Sequence, residues 1–158
     1  MKRNLILYSC ISVLFFACSK SKDSSNDPSN TWIFAGETYT AETVSYVNGG
    51  SAANLSASAT GATATSANGL IFAFTPPPSS SCQMLITSSN DPNTILVAVS
   101  KLSGTTTTFY MNDVTNTQAN VTFNNSKISV SFSGKIWLHN MTNYLDSAQL
   151  SVGTITQQ

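Results

Sequence analysis

Arginine is all but missing. Arg3 is the only one in 158 residues. Charged residues make up 9 % of the chain, 7 basic against 7 acidic, for a formal net charge of zero. A nucleic-acid binder needs a basic stripe to neutralise phosphates, and none is here. Bidentate Arg clamps on phosphate or carboxylate are excluded beyond residue 3. The long Ala, Glu, Lys and Leu runs of a coiled coil are missing too. Histidine occurs once, at His139. A His-built metal centre recruits several His, Cys or carboxylate ligands. The carboxylates after residue 30 are Glu37, Glu42, Asp91, Asp113 and Asp146. They stand scattered, with no metal-ligand spacing and no run like an EF-hand loop. There is no Gly-rich phosphate loop and no Gly-x-Ser-x-Gly elbow. Glu37 and Glu42 are five apart, which puts them on opposite faces of a regular strand. A glycosidase needs its two carboxyls roughly 5 to 10 Å apart in one site. No metal, cofactor or catalysis is expected.

What is present starts with an address. Lys2 and Arg3 form a positive n-region, and Leu5 to Phe16 is an uncharged, mostly apolar run. As a helix it would cover about 18 Å, against roughly 30 Å of hydrocarbon. It is too short to span and fits a signal-peptide core. Phe15, Phe16, Ala17 and Cys18 close it. Residues 19–30 (SKSKDSSNDPSN) then carry no apolar side chain except Pro28 and read as a solvated tether of at most ~40 Å.

The ending resembles the lipobox of bacterial lipoproteins. Ala17 and Cys18 match its last two positions; Phe15 and Phe16 depart from its commoner residues. The resemblance implies that residues 1–17 are a lipoprotein signal, that Cys18 is acylated, and that the chain is anchored at the outer membrane. Two or three acyl chains anchor stably where one does not. Periplasmic face and cell surface both stay open.

From Thr31 to Gln158 period-two alternation recurs and helical periodicity never lasts. Ile128, Val130 and Phe132 alternate with Ser129, Ser131 and Ser133. Ala148, Leu150 and Val152 alternate with Ser147, Gln149 and Ser151. Phe72 with Phe74, and Ile95 with Val97 and Val99, repeat the pattern. Turn signals separate the runs, among them Asn48-Gly49-Gly50, Asn68-Gly69 and Ser103-Gly104. An apolar fraction of 41 % can fill one core. The expectation is one all-β domain, an antiparallel β-sandwich of about eight to ten strands, with a small closed β-barrel as the alternative. Ser51 to Ala67 has side chains too small for much core, and is expected as disorder or an edge strand. Cys82 alternates with Met84 and Ile86 and is expected to be buried as a small apolar residue.

The string TWIFAGETYTA, with SVSFSGKIWL and DSAQLSVGTIT near the end, resembles small all-β lipoproteins of Bacteroidota, many of unknown function. That resemblance implies fold and envelope location and no reaction. Asp146-Ser147-Ala148 also resembles the short O-glycosylation sequon of Bacteroidota, which would place a glycan on Ser147.

The candidate ligand platform is Trp137, with Lys135 and His139. Ile136 and Leu138 share the parity of Ile128, Val130 and Phe132, so Trp137 points the other way. An exposed Trp on a β surface can stack on a sugar ring or a partner protein. Tyr39, Tyr46, Tyr110 and Tyr144 could join it. A bulge near Gly134 would instead turn Trp137 inward. Trp32 is expected in the core or as a lid. Two functions follow: an envelope binding module for glycan or protein, and a structural or assembly subunit, fimbrillin-like or accessory to an outer-membrane complex. The second needs an open sheet edge, looked for at Ser51 to Ala67 and at the C-terminal strand through Ile155.

Overall fold

A computed structural model describes residues 29–59, 68–89, 91–124 and 126–158. Cys18 and nearly all of the tether lie outside them. The chain is all-β, with no helix among the described residues. The strands are β1 (Thr31–Phe34), β2 (Glu37–Asn48), β3 (Ala53–Ala59), β4 (Gly69–Thr75), β5 (Cys82–Ile86) and β6 (Thr94–Ser103). They continue as β7 (Thr106–Asn112), β8 (Gln118–Asn124), β9 (Lys127–Ser131), β10 (Ile136–Asn140), β11 (Ser147–Val152) and β12 (Ile155–Thr156). Among the described residues twelve strands form where eight to ten were expected, because β2 passes from β1 to β3 and β6 from β5 to β7 part-way along their length.

The strand order is β12-β9-β8-β5-β6-β4-β3-β2-β1-β11-β10-β7, and β6 also pairs with β7. Hydrogen bonding thus closes a circuit through β6, β4, β3, β2, β1, β11, β10 and β7, while β5, β8, β9 and β12 branch from β6. The sheet folds over its own apolar face. Phe34 on β1 meets Tyr110 on β7 with ring centroids 4.9 Å apart, and Tyr46 on β2 meets Phe123 on β8 at 6.4 Å. Neither pair is on neighbouring strands, so both contacts cross the interior. The result is sandwich-like, with the alternating apolar residues of both layers in one core.

Local chemistry explains the corners. Ala35 and Gly36 join β1 to β2 with φ of 52° and 82°, the two-residue turn that matches strand twist. Gly104, at φ 62°, opens the equally short turn between β6 and β7. In β2 the register jumps from Ala41↔Ala59 to Thr43↔Ser58, leaving Glu42 as a bulge. Bulges bend a strand. The first half of β2 therefore pairs with β1 and the second with β3.

Four expectations change or resolve. β5 runs parallel to β6 through Leu85↔Thr94 and Ile86↔Ile95, a pairing that no local pattern foretells. β3 is neither disordered nor an edge: it lies between β2 and β4. Its small side chains stand opposite large ones, Ala53↔Phe74 and Ala57↔Leu70, so the layer keeps its thickness. Residues 60–67 lie outside the described chain. Cys82 is exposed, because β5 begins there and only Met84 and Ile86 reach the core. Trp32 belongs to the core, 1 % exposed and stacked on Tyr39 with centroids 5.5 Å apart.

Candidate functional site

β10 carries Trp137 and His139, with Lys135 just before it, as the alternation requires. Ile136 and Leu138 are buried, Lys135 and Trp137 are exposed, and His139 is half-buried on the same outward side. Gly134 takes φ of 82° without shifting this parity, and Trp137 stays 53 % exposed. Across the strand, Trp137 faces Gln149 and His139 faces Ser147 on β11.

On its other flank β10 loses its partner. β7 pairs with Asn140, His139 and Leu138 only, ending at Asn112. Residues 113–117 then swing away toward β5. Asn112 fixes the departure point. Its buried carboxamide accepts the Val97 N–H at 2.6 Å and donates to the Asp113 carbonyl at 2.7 Å. Beyond it, Thr115 Oγ1 donates to the Ile86 carbonyl at 2.8 Å, and the Ile86 N–H donates to the Thr117 carbonyl at 2.9 Å. The gap between this segment and β10 is a notch of about 320 Å³, bordered by Asp113, Val114, Lys135, Trp137 and His139.

The loop after β10 supplies the second aromatic. Asn140 Oδ1 accepts the N–H groups of Thr142 and Asn143 at 2.8 and 3.2 Å, and Asn140 Nδ2 donates to Asp146 Oδ2 at 2.9 Å. This tight turn lays Tyr144 flat on His139, with centroids 4.3 Å apart and planes 9° apart. His139 Nδ1 lies 3.2 Å from the Tyr144 carbonyl oxygen. A carbonyl can only accept, so Nδ1 holds the proton and Nε2 is left as an acceptor in the neutral ring. The Tyr144 hydroxyl donates to Asp113 Oδ2. Asp113 Oδ1 accepts the Val114 N–H at 2.7 Å. The Tyr144 bond, then the Val114 bond, hold the Asp113 carboxyl below its usual range, and the same contact holds the Tyr144 hydroxyl above its own.

The structure thus joins Trp137, Lys135, His139 and Tyr144, and adds Asp113. Sequence reading missed Asp113 as a partner because it reaches Tyr144 from 31 residues away. The other tyrosines go elsewhere. Tyr39 stacks on Trp32 and donates to Glu37, Tyr46 lies against Phe74 and Phe123, and Tyr110 packs on Phe34 and donates to Asp146 at 2.9 Å. Ser147 sits half-buried at the start of β11, directly opposite His139.

Chemically, the site offers an exposed indole face, a fixed imidazole–phenol stack, a carboxylate and an ammonium around one notch. These can stack on a ring and pair with hydroxyls. Comparisons with protein-family models, with curated proteins and with solved structures returned no match.

Proposed function

We propose that this chain is a non-catalytic envelope lipoprotein whose β-domain binds a glycan across Trp137. One observation carries the reading: a half-exposed Trp137 beside a notch bordered by Lys135, His139 and Asp113. The indole face receives the apolar side of a sugar ring. Asp113 and the free nitrogen of His139 accept from its hydroxyls, and Lys135 donates to them.

The anchor part of this proposal is the acylation of Cys18, with residues 19–30 as tether and the outer membrane as address. Palmitate labelling that disappears in Cys18→Ser tests it. Glycosylation of Ser147 fits poorly with an open platform. Directly paired residues of adjacent strands share a face, so a glycan on Ser147 would lie over His139.

A protein ligand is the second reading. Phe109, Met141 and Leu145 are exposed near the same corner, Leu145 at 93 %, and the Met141 N–H donates to the Phe109 carbonyl. The assembly reading needs a free edge. β3 is flanked on both sides, and among the described strands β12 has a single strand neighbour. Even there, Thr156 N–H donates to Asn30 Oδ1 at 2.7 Å and Gln158 N–H to the Val44 carbonyl at 3.2 Å.

Affinity electrophoresis of the purified protein against soluble polysaccharides tests the glycan reading. Retardation that vanishes in Trp137→Ala supports it. Equal mobility on every polysaccharide removes it and moves the weight to a protein ligand.

A further inference from the structure

β10 has a strand on each side for only part of its length, and its unpaired part faces the notch. The bonds at its end show which way each peptide group points. The Asn140 N–H donates to the Asp146 carbonyl on the β11 side, and the Met141 N–H to the Phe109 carbonyl on the β7 side. Peptide groups along an antiparallel strand face its two neighbours by turns. Even-numbered residues of β10 therefore bond β11, and odd-numbered ones face β7. The Gln149 carbonyl agrees: it stands opposite Trp137, yet accepts the Ala35 N–H on the β1 side. His139 meets Met111 on β7. Two residues back, Trp137 turns its N–H and C=O the same way, beyond Leu138↔Asn112, the last pair of that ladder. No hydrogen bond joins Lys135 or Trp137 to residues 113–117 among the described residues.

An open strand edge is a template for one more strand. The notch of about 320 Å³ runs beside this edge, along Lys135, Ile136 and Trp137. Its far wall is tied elsewhere, through the bond from Thr115 Oγ1 to the Ile86 carbonyl. Charge narrows the choice of occupant. Both oxygens of Asp113 are engaged, Oδ2 by the Tyr144 hydroxyl and Oδ1 by the Val114 N–H. Lys135 is exposed and has no ion pair among the described residues. The charge left without a partner at the notch is positive.

We propose that the β10 edge from Lys135 to Trp137 docks an extended peptide that carries a carboxylate. The peptide runs antiparallel to β10, in the line that β7 leaves at Asn112. Its residue opposite Trp137 exchanges both backbone hydrogen bonds with Trp137 and lays a β-branched side chain beside the indole. Two residues further on, an Asp or Glu side chain meets the Lys135 ammonium. This goes beyond the glycan reading. It uses the main chain of Trp137 rather than its ring, and it stands if no sugar stacks there.

The probe is the peptide acetyl-Thr-Val-Thr-Val-Thr-Glu-Thr-amide, titrated into ¹⁵N-labelled protein. The expected result is a saturable shift of the Trp137 backbone amide. N-methylation of the second valine removes the donor to the Trp137 carbonyl and should abolish the shift. N-methylation of the threonine after it, whose N–H faces away from β10, should leave the shift in place. An exposed ion pair is a modest term, so lysine in place of the glutamate should weaken binding by about threefold or more. A Trp137 amide that the peptide does not move overturns the proposal. Equal loss from the two N-methyl peptides, or equal binding of the lysine peptide, overturns it as well. Shifts confined to Phe109 and Met141 place the peptide on the exposed apolar corner and also overturn it. The titration contains no sugar, so failure of this edge and failure of glycan binding are seen separately.

Discussion

The carboxamide of Asn112 reaches across to β6 and accepts the Val97 N–H at 2.6 Å. It stands where β6 changes neighbours, from β5 at Ile95 to β7 at Ala98. A side chain here replaces the backbone partner that neither strand supplies. The same amide holds the Asp113 carbonyl, and so aims the segment that walls the notch.

Asn112→Ala leaves the Val97 N–H buried and unpaired. Such a loss costs about 1–3 kcal/mol. Denaturant unfolding should show that drop, and hydrogen exchange at the Val97 amide should speed up. Unchanged stability together with unchanged exchange would contradict the role given to Asn112.

Ala35 sits at φ 52° in the turn between β1 and β2. Left-handed backbone costs a residue with a Cβ roughly 1–2 kcal/mol, and Asn tolerates it better. Ala35→Asn should raise stability by about 0.5 kcal/mol, seen as a rise of a few degrees in Tm. A lower Tm would mean that the alanine methyl makes a contact the turn needs.

Three carboxylates each accept a tyrosine hydroxyl: Glu37 from Tyr39, Asp113 from Tyr144 and Asp146 from Tyr110. Glu37 is lowered first by Tyr39 and then by Lys101, whose Nζ lies 3.2 Å away; Asp146 is lowered first by Asn140 and then by Tyr110. A carboxyl lowered on folding adds stability above its ordinary pKa of about 4, and the gain fades as pH falls through the lowered value. The tyrosines move the other way. Burial, then the carboxylate, raises Tyr39 and Tyr110; burial raises Tyr46; the Asp113 bond leads for Tyr144. Their contribution is whole below about pH 10 and is lost as pH climbs through the raised values. Absorbance at 295 nm should therefore show little tyrosinate in the folded protein at pH 10, where the urea-unfolded chain is about half ionised. A folded titration with its midpoint near 10 would contradict the pairing.

Much of this was legible in the sequence, for definable reasons. Trp137 could be turned outward from its neighbours alone, because Ile136 and Leu138 must bury and side chains alternate. The Ser-spaced β9 followed the same rule, with Ile128 and Val130 buried. β3 escaped it because Ala53 and Ala57 acquire their meaning from Phe74 and Leu70 across the ladder. Cys82 misled because alternation fixes a side but not how far along the strand the core extends. Asp113 and Tyr144 meet only after the Asn140 turn and the Asn112 departure are both in place, and each depends on contacts remote in sequence.

The central claim is that binding runs through Trp137 and is more than general stickiness. Val47 on β2 is the control, since it is exposed and three strands removed from β10. The direct measurement is titration calorimetry of a retarding glycan against the wild type, Trp137→Ala and Val47→Ala. A central aromatic anchor is worth at least about 1.4 kcal/mol, or tenfold in affinity. The account predicts a loss of at least that size in Trp137→Ala and wild-type affinity in Val47→Ala. Full affinity in Trp137→Ala, or an equal loss in both variants, would contradict it.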